Sequence, residues 1–345
     1  MSGALVTDQV RPSPRTPGEA ASDRAAYRST LLELARADRD IWCLDSDMGG
    51  LEKEFQAELP DQYVDLGIAE ANLVSVAAGL AGNGIIPFVN SMAAFAAARA
   101  LDQVRLDVAY HALPVRIVAT HSGLSAGHLG PTHHCQLDLA VMRALPNMTV
   151  MTPADAGEAA RMVKAVAYLP GPVYIRLGRD ATDPVYADPV EFTVGRAVTL
   201  RGGSDVTIVA AGTYPVLFAL EAAERLARRG IEASVLNMHT LKPLDSEAVG
   251  LAAASTGGIV TVEDHSVLGG LGGAVAEVVA ADRPTRVARI GIADAWSGRP
   301  GTHREQLIAA GVSPARIVAA AEAVANARAG DPARFMPTIS HTGDS

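Results

Sequence analysis

Asp65-Leu66-Gly67-Ile68-Ala69-Glu70-Ala71-Asn72-Leu73-Val74-Ser75-Val76-Ala77-Ala78-Gly79-Leu80-Ala81-Gly82-Asn83-Gly84 places one carboxylate at the head of a small-residue run with no further charge until Arg99. A lone acid leading into such a run must be solvated, paired, or set against something that uses its proton. A carboxylate also favours the positive end of a helix dipole, by about 0.3–1 kcal/mol, so helix entry alone would account for Glu70 were nothing else nearby. The uncharged stretch 71–98 is long enough to cross a bilayer. It is broken by Gly82-Asn83-Gly84 and Pro87 and carries Asn72, Asn83 and Asn90, so it reads as helix, turn, strand and a second helix in a soluble core.

Outward from that stretch, short apolar runs alternate with helical patterns. Strands are expected at 41–45, 63–66, 85–89, 115–119, 148–151 and 173–177, with helices from Ala20, from Glu70, over 93–111 and over 155–168. A second alternation has strands at 206–211, 232–236, 258–262 and 285–291. Its helices fall at 215–229, from about Gly269, near 304–310 and over 314–327. This order predicts an α/β protein of two doubly wound domains with mostly parallel sheets. The expected organisation is a disordered arm over 1–19, a first domain over 20–180, a linker over 181–197, a second domain over 198–330 and a disordered tail over 331–345. In such sheets ligands sit beyond the carboxyl ends of the strands. The loops after Leu66, Val89, Ala119 and Leu177 therefore bring Glu70, Phe95, the 120–136 loop and Arg179 to one rim.

Composition narrows the classes. The chain has 345 residues, 49% hydrophobic, with 32 Gly and a formal net charge of −9. Long Lys/Arg runs are missing from it, which argues against a nucleic-acid surface. Cys43 and Cys135 stand far apart without a Cys-x-x-Cys, the usage of reduced cytoplasmic thiols, and the first 23 residues hold no apolar segment of the signal-peptide kind. A membrane location is not expected.

The densest polar cluster is Thr120-His121-Ser-Gly-Leu-Ser-Ala-Gly127-His128-Leu-Gly130-Pro131-Thr132-His133-His134, with four of the nine histidines. Zinc is one reading of clustered imidazoles, disfavoured by the lack of His-Glu-x-x-His or a nearby Cys pair. Imidazoles lining a cleft for proton transfer or hydroxyl recognition is the other, since their pKa lies near neutrality.

These residues carry a resemblance. Asp65-Leu-Gly-Ile-Ala-Glu70, Phe95-x3-Arg99, Asp102-Gln103-Val104, Thr120-His121, Gly130-Pro-Thr-His133, Pro146-Asn147 and Thr152-Pro-Ala-Asp155 are similar to the pyrimidine-binding domain of transketolases. Asp205 to Gly212, Leu241-Lys-Pro-Leu-Asp245, Val262-Glu-Asp-His265 and Gly269 to Gly273 resemble the transketolase C-terminal domain. The Gly-Asp-Gly run with a downstream Asn, which in full transketolases holds magnesium and the cofactor's diphosphate, is not found here. The resemblance is thus to the C-terminal subunit of a split transketolase, and it implies a separate diphosphate-binding subunit as partner and an α2β2 assembly.

The resemblance further implies thiamin diphosphate as cofactor, with Mg2+ or Ca2+ held by the partner and no metal in this chain. Glu70 would hydrogen-bond the aminopyrimidine to activate the coenzyme, its proton-sharing favoured by burial against Leu, Val and Ala. Phe95 would stack on the pyrimidine, with Met92 in place of a second aromatic and Ile68 beside them. His121 and His133 would serve donor hydroxyls and the transferring carbonyl oxygen, and His128 and Arg179 would help bind the sugar or its phosphate. Two departures bear on substrate. Leu129 stands where the family has a hydroxyl-reading Asp, and no serine near Arg28-Ser29 replaces the usual phosphate-binding one, which suggests a less hydroxylated or less phosphorylated acceptor. Alternatives are a pyruvate-using acyloin synthase resembling deoxyxylulose-phosphate synthase, the β chain of a 2-oxoacid dehydrogenase, and a non-catalytic subunit that stabilises its partner.

Overall fold

A computed structural model describes residues 20–296 and 300–326; the expected N-terminal arm and the whole of the expected tail lie outside them. In chain order the elements are β1 (Ala21–Ser22), α1 (Asp23–Ala37), β2 (Ile41–Asp45), α2 (Glu52–Glu58), β3 (Tyr63–Asp65), α3 (Glu70–Ala81) and β4 (Ile86–Met92). A widened helix follows, with π-type turns over Phe95–Arg99 and Val104–Tyr110 flanking the short α4 (Leu101–Gln103). Next come β5 (Arg116–Thr120), α5 (Asp138–Ala144), β6 (Thr149–Met151), α6 (Ala156–Val166), β7 (Val173–Arg176) and β8 (Ala181–Thr182). The second half holds β9 (Val198–Arg201), β10 (Val206–Ala211), α7 (Thr213–Ala227), β11 (Ala233–Asn237), β12 (Thr240–Lys242) and α8 (Ser246–Ser255). It closes with β13 (Ile259–Ser266), α9 (Leu271–Asp282), β14 (Val287–Ile292), α10 (His303–Ala309) and α11 (Pro314–Asn326).

Two sheets carry the fold. The first has the order β12-β6-β7-β5-β4-β2-β3 and the second β14-β13-β10-β11-β9. All neighbours are parallel except the edge strands β12 and β9. The parallel strands read as continuous apolar runs because helices cover both faces. Two features depart from the sequence expectation. The single helix expected over 93–111 is widened at two places. The 181–197 connection is packed rather than free: β8 pairs with β1, and Val185 and Tyr186 are buried with their amides bonded to Asp155 Oδ2.

The largest of three buried apolar clusters among the described residues spans both halves. β12 leaves the second half to pair with β6, and Met238, Leu241, Val249, Leu271 and Val275 pack in the same cluster as Leu73, Val104 and Leu139. Small residues let the helices of the first half approach closely. Ala77, Ala78, Ala81, Ala93, Ala96, Ala97 and Ala100 are all buried, so a larger side chain at Ala97 would cost about 1–3 kcal/mol in overpacking. Cys43 and Cys135 are buried free thiols, with the Cys135 thiol pushed up by burial. Among the described residues no single helix is long and apolar enough to cross a membrane.

Candidate active site

Four loops meet at the carboxyl end of the first sheet. β3 hands over to α3 through Gly67, whose φ of +65° is left-handed. Its amide bonds Asp65 Oδ1 at 2.8 Å, and the Ala69 amide bonds the Gly67 carbonyl at 2.7 Å. This tight turn leads directly into α3, which Glu70 opens with its side chain buried.

The acid is not isolated, as a linear reading suggests. Arg99 on the widened helix donates to both carboxylate oxygens, and its guanidinium carbon lies 4.2 Å from the centre of the Phe95 ring. Phe95 is half-buried and meets the His133 ring edge-on, with centroids 5.4 Å apart. His133 Nδ1 is 2.9 Å from Thr132 Oγ1. Glu70, Arg99, Phe95 and His133 therefore form one contiguous group, with Met92 half-buried on the preceding strand.

His121 belongs to an adjoining group. It is buried, adopts a left-handed φ of +56°, and its Nδ1 lies 2.9 Å from Thr120 Oγ1. Burial lowers its pKa to about 4, assisted by the positive charges of Arg24, Arg179 and Arg28 and by His133. Its imidazole is therefore neutral near pH 7. Burial together with Arg28 and Arg179 also lowers the pKa of Arg24. Three guanidinium groups thus crowd one part of the rim, a setting suited to a bound anion. Arg28 is anchored to the Gly49 carbonyl, and Ser29 is exposed with its hydroxyl turned to Ala26 O at 3.0 Å.

The remaining expected residues lie on the surface of the rim. Ile68 is 72% exposed and Leu129 42%. His128 is exposed near Glu305, whereas His134 is buried with Nε2 3.3 Å from the Gly127 carbonyl. No three His, Cys, Asp or Glu side chains gather into a metal-holding group among the described residues. Sequence reasoning missed Arg24 and Arg28, although their i,i+4 spacing on α1 aligns them on one helix face. It also missed the Arg99 pairing, which no local pattern announces.

Comparison with known proteins identifies the two domains that carry this site. The family model for the transketolase pyrimidine binding domain matches residues 19–184, and that for the transketolase C-terminal domain matches 195–317. The chain is 44% identical over 274 residues to a subunit of the apulose-4-phosphate transketolase of Phocaeicola vulgatus, covering 79% of this chain and 87% of that protein. It is also 44% identical over 275 residues to the 6-deoxy-6-sulfo-D-fructose transketolase subunit SqwH of a Clostridium species, covering 79% and 85%. A solved structure described as a split gene transketolase, inactive beta4 tetramer, superposes with a TM-score of 0.81 at 41% identity, covering 89% of this chain and 99% of that one. The buried acid, its aromatic neighbour and the histidine loop thus stand in a chain that belongs to the transketolase family, of which it carries the pyrimidine-binding and C-terminal domains.

Proposed function

We propose that this chain is the pyrimidine-binding subunit of a two-chain, thiamin-diphosphate-dependent transketolase that moves a two-carbon ketol unit from a ketose to an aldehyde. The observation that carries the reading is the buried Glu70 carboxylate, joined through Arg99 to the half-buried Phe95 ring. That donor set fits an aminopyrimidine, which offers a ring nitrogen to share a proton with a carboxyl and a flat face to stack on an aromatic. When bound, the coenzyme supplies the carbon nucleophile that cleaves and remakes the C–C bond.

The chain's own residues have separate roles in this reading. Glu70 shares a proton with the aminopyrimidine ring nitrogen, and Phe95 and Met92 flank the ring with Ile68 at its entrance. His121, neutral because it is buried, can accept a proton from a donor hydroxyl or return one. His133, held beside Phe95, does the same at the carbonyl oxygen. Arg179, with Arg24 and Arg28, holds an anionic end of the substrate, and His128 lies at the outer rim.

The two relatives act on a sugar phosphate and a sulfonated sugar by name. Both have a tetrahedral anion that such an arginine group suits. Leu129 cannot accept a hydroxyl proton, so we infer a donor or acceptor with a changed hydroxyl pattern but a retained anionic end.

The reading calls for a separate subunit that holds the diphosphate and its Mg2+ or Ca2+, in an α2β2 assembly. Co-expression with a chain bearing the Gly-Asp-Gly domain, followed by assay of ketose phosphate, sulfoketose and pyruvate donors, tests it. Ketol transfer that requires both chains and thiamin diphosphate is the expected result. Transfer only from pyruvate, or none from any donor with E70Q and wild type alike, overturns it.

A further inference from the structure

We propose that Asp264, at the far end of β13 in the second half, is a positioning residue for the His121 loop of the first. The carboxylate of Asp264 lies against the backbone of Gly123. A Cβ at Gly123 would fall 2.0 Å from Oδ2 and 2.3 Å from Oδ1, and its φ of +56° is one that glycine adopts without penalty. Oδ1 accepts the Leu124 amide at 3.1 Å and Oδ2 approaches it at 3.4 Å. On its other side Oδ2 lies 2.8 Å from His303 Nε2 of α10, and both side chains are 4% exposed. The main-chain carbonyl of Asp264 accepts Nη2 of Arg176 at 2.6 Å, and Arg176 Nε is itself bonded to the buried Asp138 at 2.8 Å. Asp264 is therefore held at two points before it touches the loop, its carboxylate by His303 and its main-chain carbonyl by Arg176.

What it touches is the crossing point of that loop. Left-handed conformations at His121 and Gly123 turn the chain twice in three residues. The Gly123 carbonyl accepts the Cys135 amide at 2.8 Å, which brings in the returning arm with His133 and His134. One acid thus holds the point where the arm bearing His121 meets the arm bearing His133. Asp264 contacts neither imidazole. It acts through Gly123 and Leu124 and gives the second half a part in the chemistry of the first.

This inference rests on the proposed roles of His121 and His133, so the test compares Asp264 variants with H121A in the assembled two-chain enzyme. D264A is expected to leave the thiamin diphosphate Kd within about twofold, while kcat/KM for the donor falls at least about 30-fold. D264N keeps an oxygen for the Leu124 amide and is expected to restore kcat/KM to within about fivefold of wild type. In the isolated subunit, an NMR titration of His121 should show its pKa rising toward that of a free imidazole in D264A and staying low in D264N. If D264A does not fold, H303Q loosens the same acid and is expected to lower kcat/KM about three- to tenfold without changing the coenzyme Kd. D264A or H303Q with unchanged kcat/KM and an unchanged His121 titration overturns the proposal. H121A with unchanged kinetics overturns the functional reading beneath it, whatever Asp264 does.

Discussion

One guanidinium nitrogen of Arg99 donates to both oxygens of Glu70, at 3.0 and 2.8 Å, across 29 residues of sequence. The pair is unequal in burial: the Glu70 side chain is 3% exposed and that of Arg99 47%. Removing the arginine leaves a carboxylate with no charged partner in a site that water reaches poorly, whereas removing the acid leaves a guanidinium that can turn to solvent. R99Q is therefore expected to destabilise the isolated subunit by about 2 kcal/mol more than E70Q does. Urea unfolding of the two variants measures the difference, and equal losses would show that the pair is hydrated on both sides. E70Q should retain the fold and lose at least about 100-fold in ketol transfer once assembled, a loss of about 2.7 kcal/mol in transition-state stabilisation.

The Phe95 ring has the Arg99 guanidinium at 4.2 Å and the His133 ring edge-on at 5.4 Å. In the proposed reading the aminopyrimidine stacks on this ring. F95L keeps an apolar side chain of similar bulk but loses the flat face, so its effect separates stacking from filling. A weakening of thiamin diphosphate binding by about fivefold to tenfold is expected, from a stacking contribution of about 1–1.5 kcal/mol. The isolated subunit should unfold at nearly the same urea concentration as wild type. Unchanged coenzyme affinity in F95L, measured by calorimetry on the assembled enzyme, would assign Phe95 to packing alone.

Much of this arrangement could be read in advance because it is local. The apolar runs of β2, β5, β7 and β10 alternate with helices, and this pattern alone puts the loops bearing Glu70, Phe95 and His121 on one edge. What could not be read depends on partners distant in sequence. Arg99 reaches back to Glu70 from another helix, and Asp264 meets Leu124 across 140 residues. β12 is three residues long and pairs antiparallel with a strand of the other half, where neither propensity nor periodicity can place it. The short antiparallel β9 and the Ala-rich α8 were missed for a related reason: they have little apolar contrast of their own and are defined by what they pack against. The two widened turns between Phe95 and Tyr110, one in an alanine run and one in Val-Arg-Leu-Asp-Val-Ala-Tyr, leave no mark in the local pattern.

The three arginines around His121 make a prediction that needs no substrate. Arg24, Arg179 and Arg28 each help hold the His121 pKa low, after burial. Neutralising one of them in R179Q should raise that pKa, which an NMR titration of the isolated subunit reads directly. In the assembled enzyme the same variant should raise KM for a phosphorylated or sulfonated donor about tenfold or more, while leaving kcat within a few-fold. That split marks a group that binds substrate and transition state alike. A variant with unchanged KM for anionic donors would remove Arg179 from the anion site.

Acid stability follows from the buried imidazoles. His121 and His239 have folded pKa values near 4, both lowered chiefly by burial, against about 6.5 for a free imidazole. Between those limits the unfolded chain binds the protons and the folded one does not, so each histidine makes stability rise with pH from about 4 to 6.5. Glu158 acts in the opposite sense. Burial raises its pKa to about 7, so its contribution is present below about pH 4.5 and is lost as the pH climbs through 7. The wild-type curve mixes these slopes, and variants separate them. H239Q should remove one proton of uptake on unfolding at pH 5, flattening the pH dependence by up to about 1.4 kcal/mol per unit. E158Q should steepen it by a similar amount above pH 5. Urea unfolding of wild type and both variants at pH 5, 6 and 7 checks the signs, and a curve for H239Q parallel to wild type would mean that this imidazole is protonated in the folded protein.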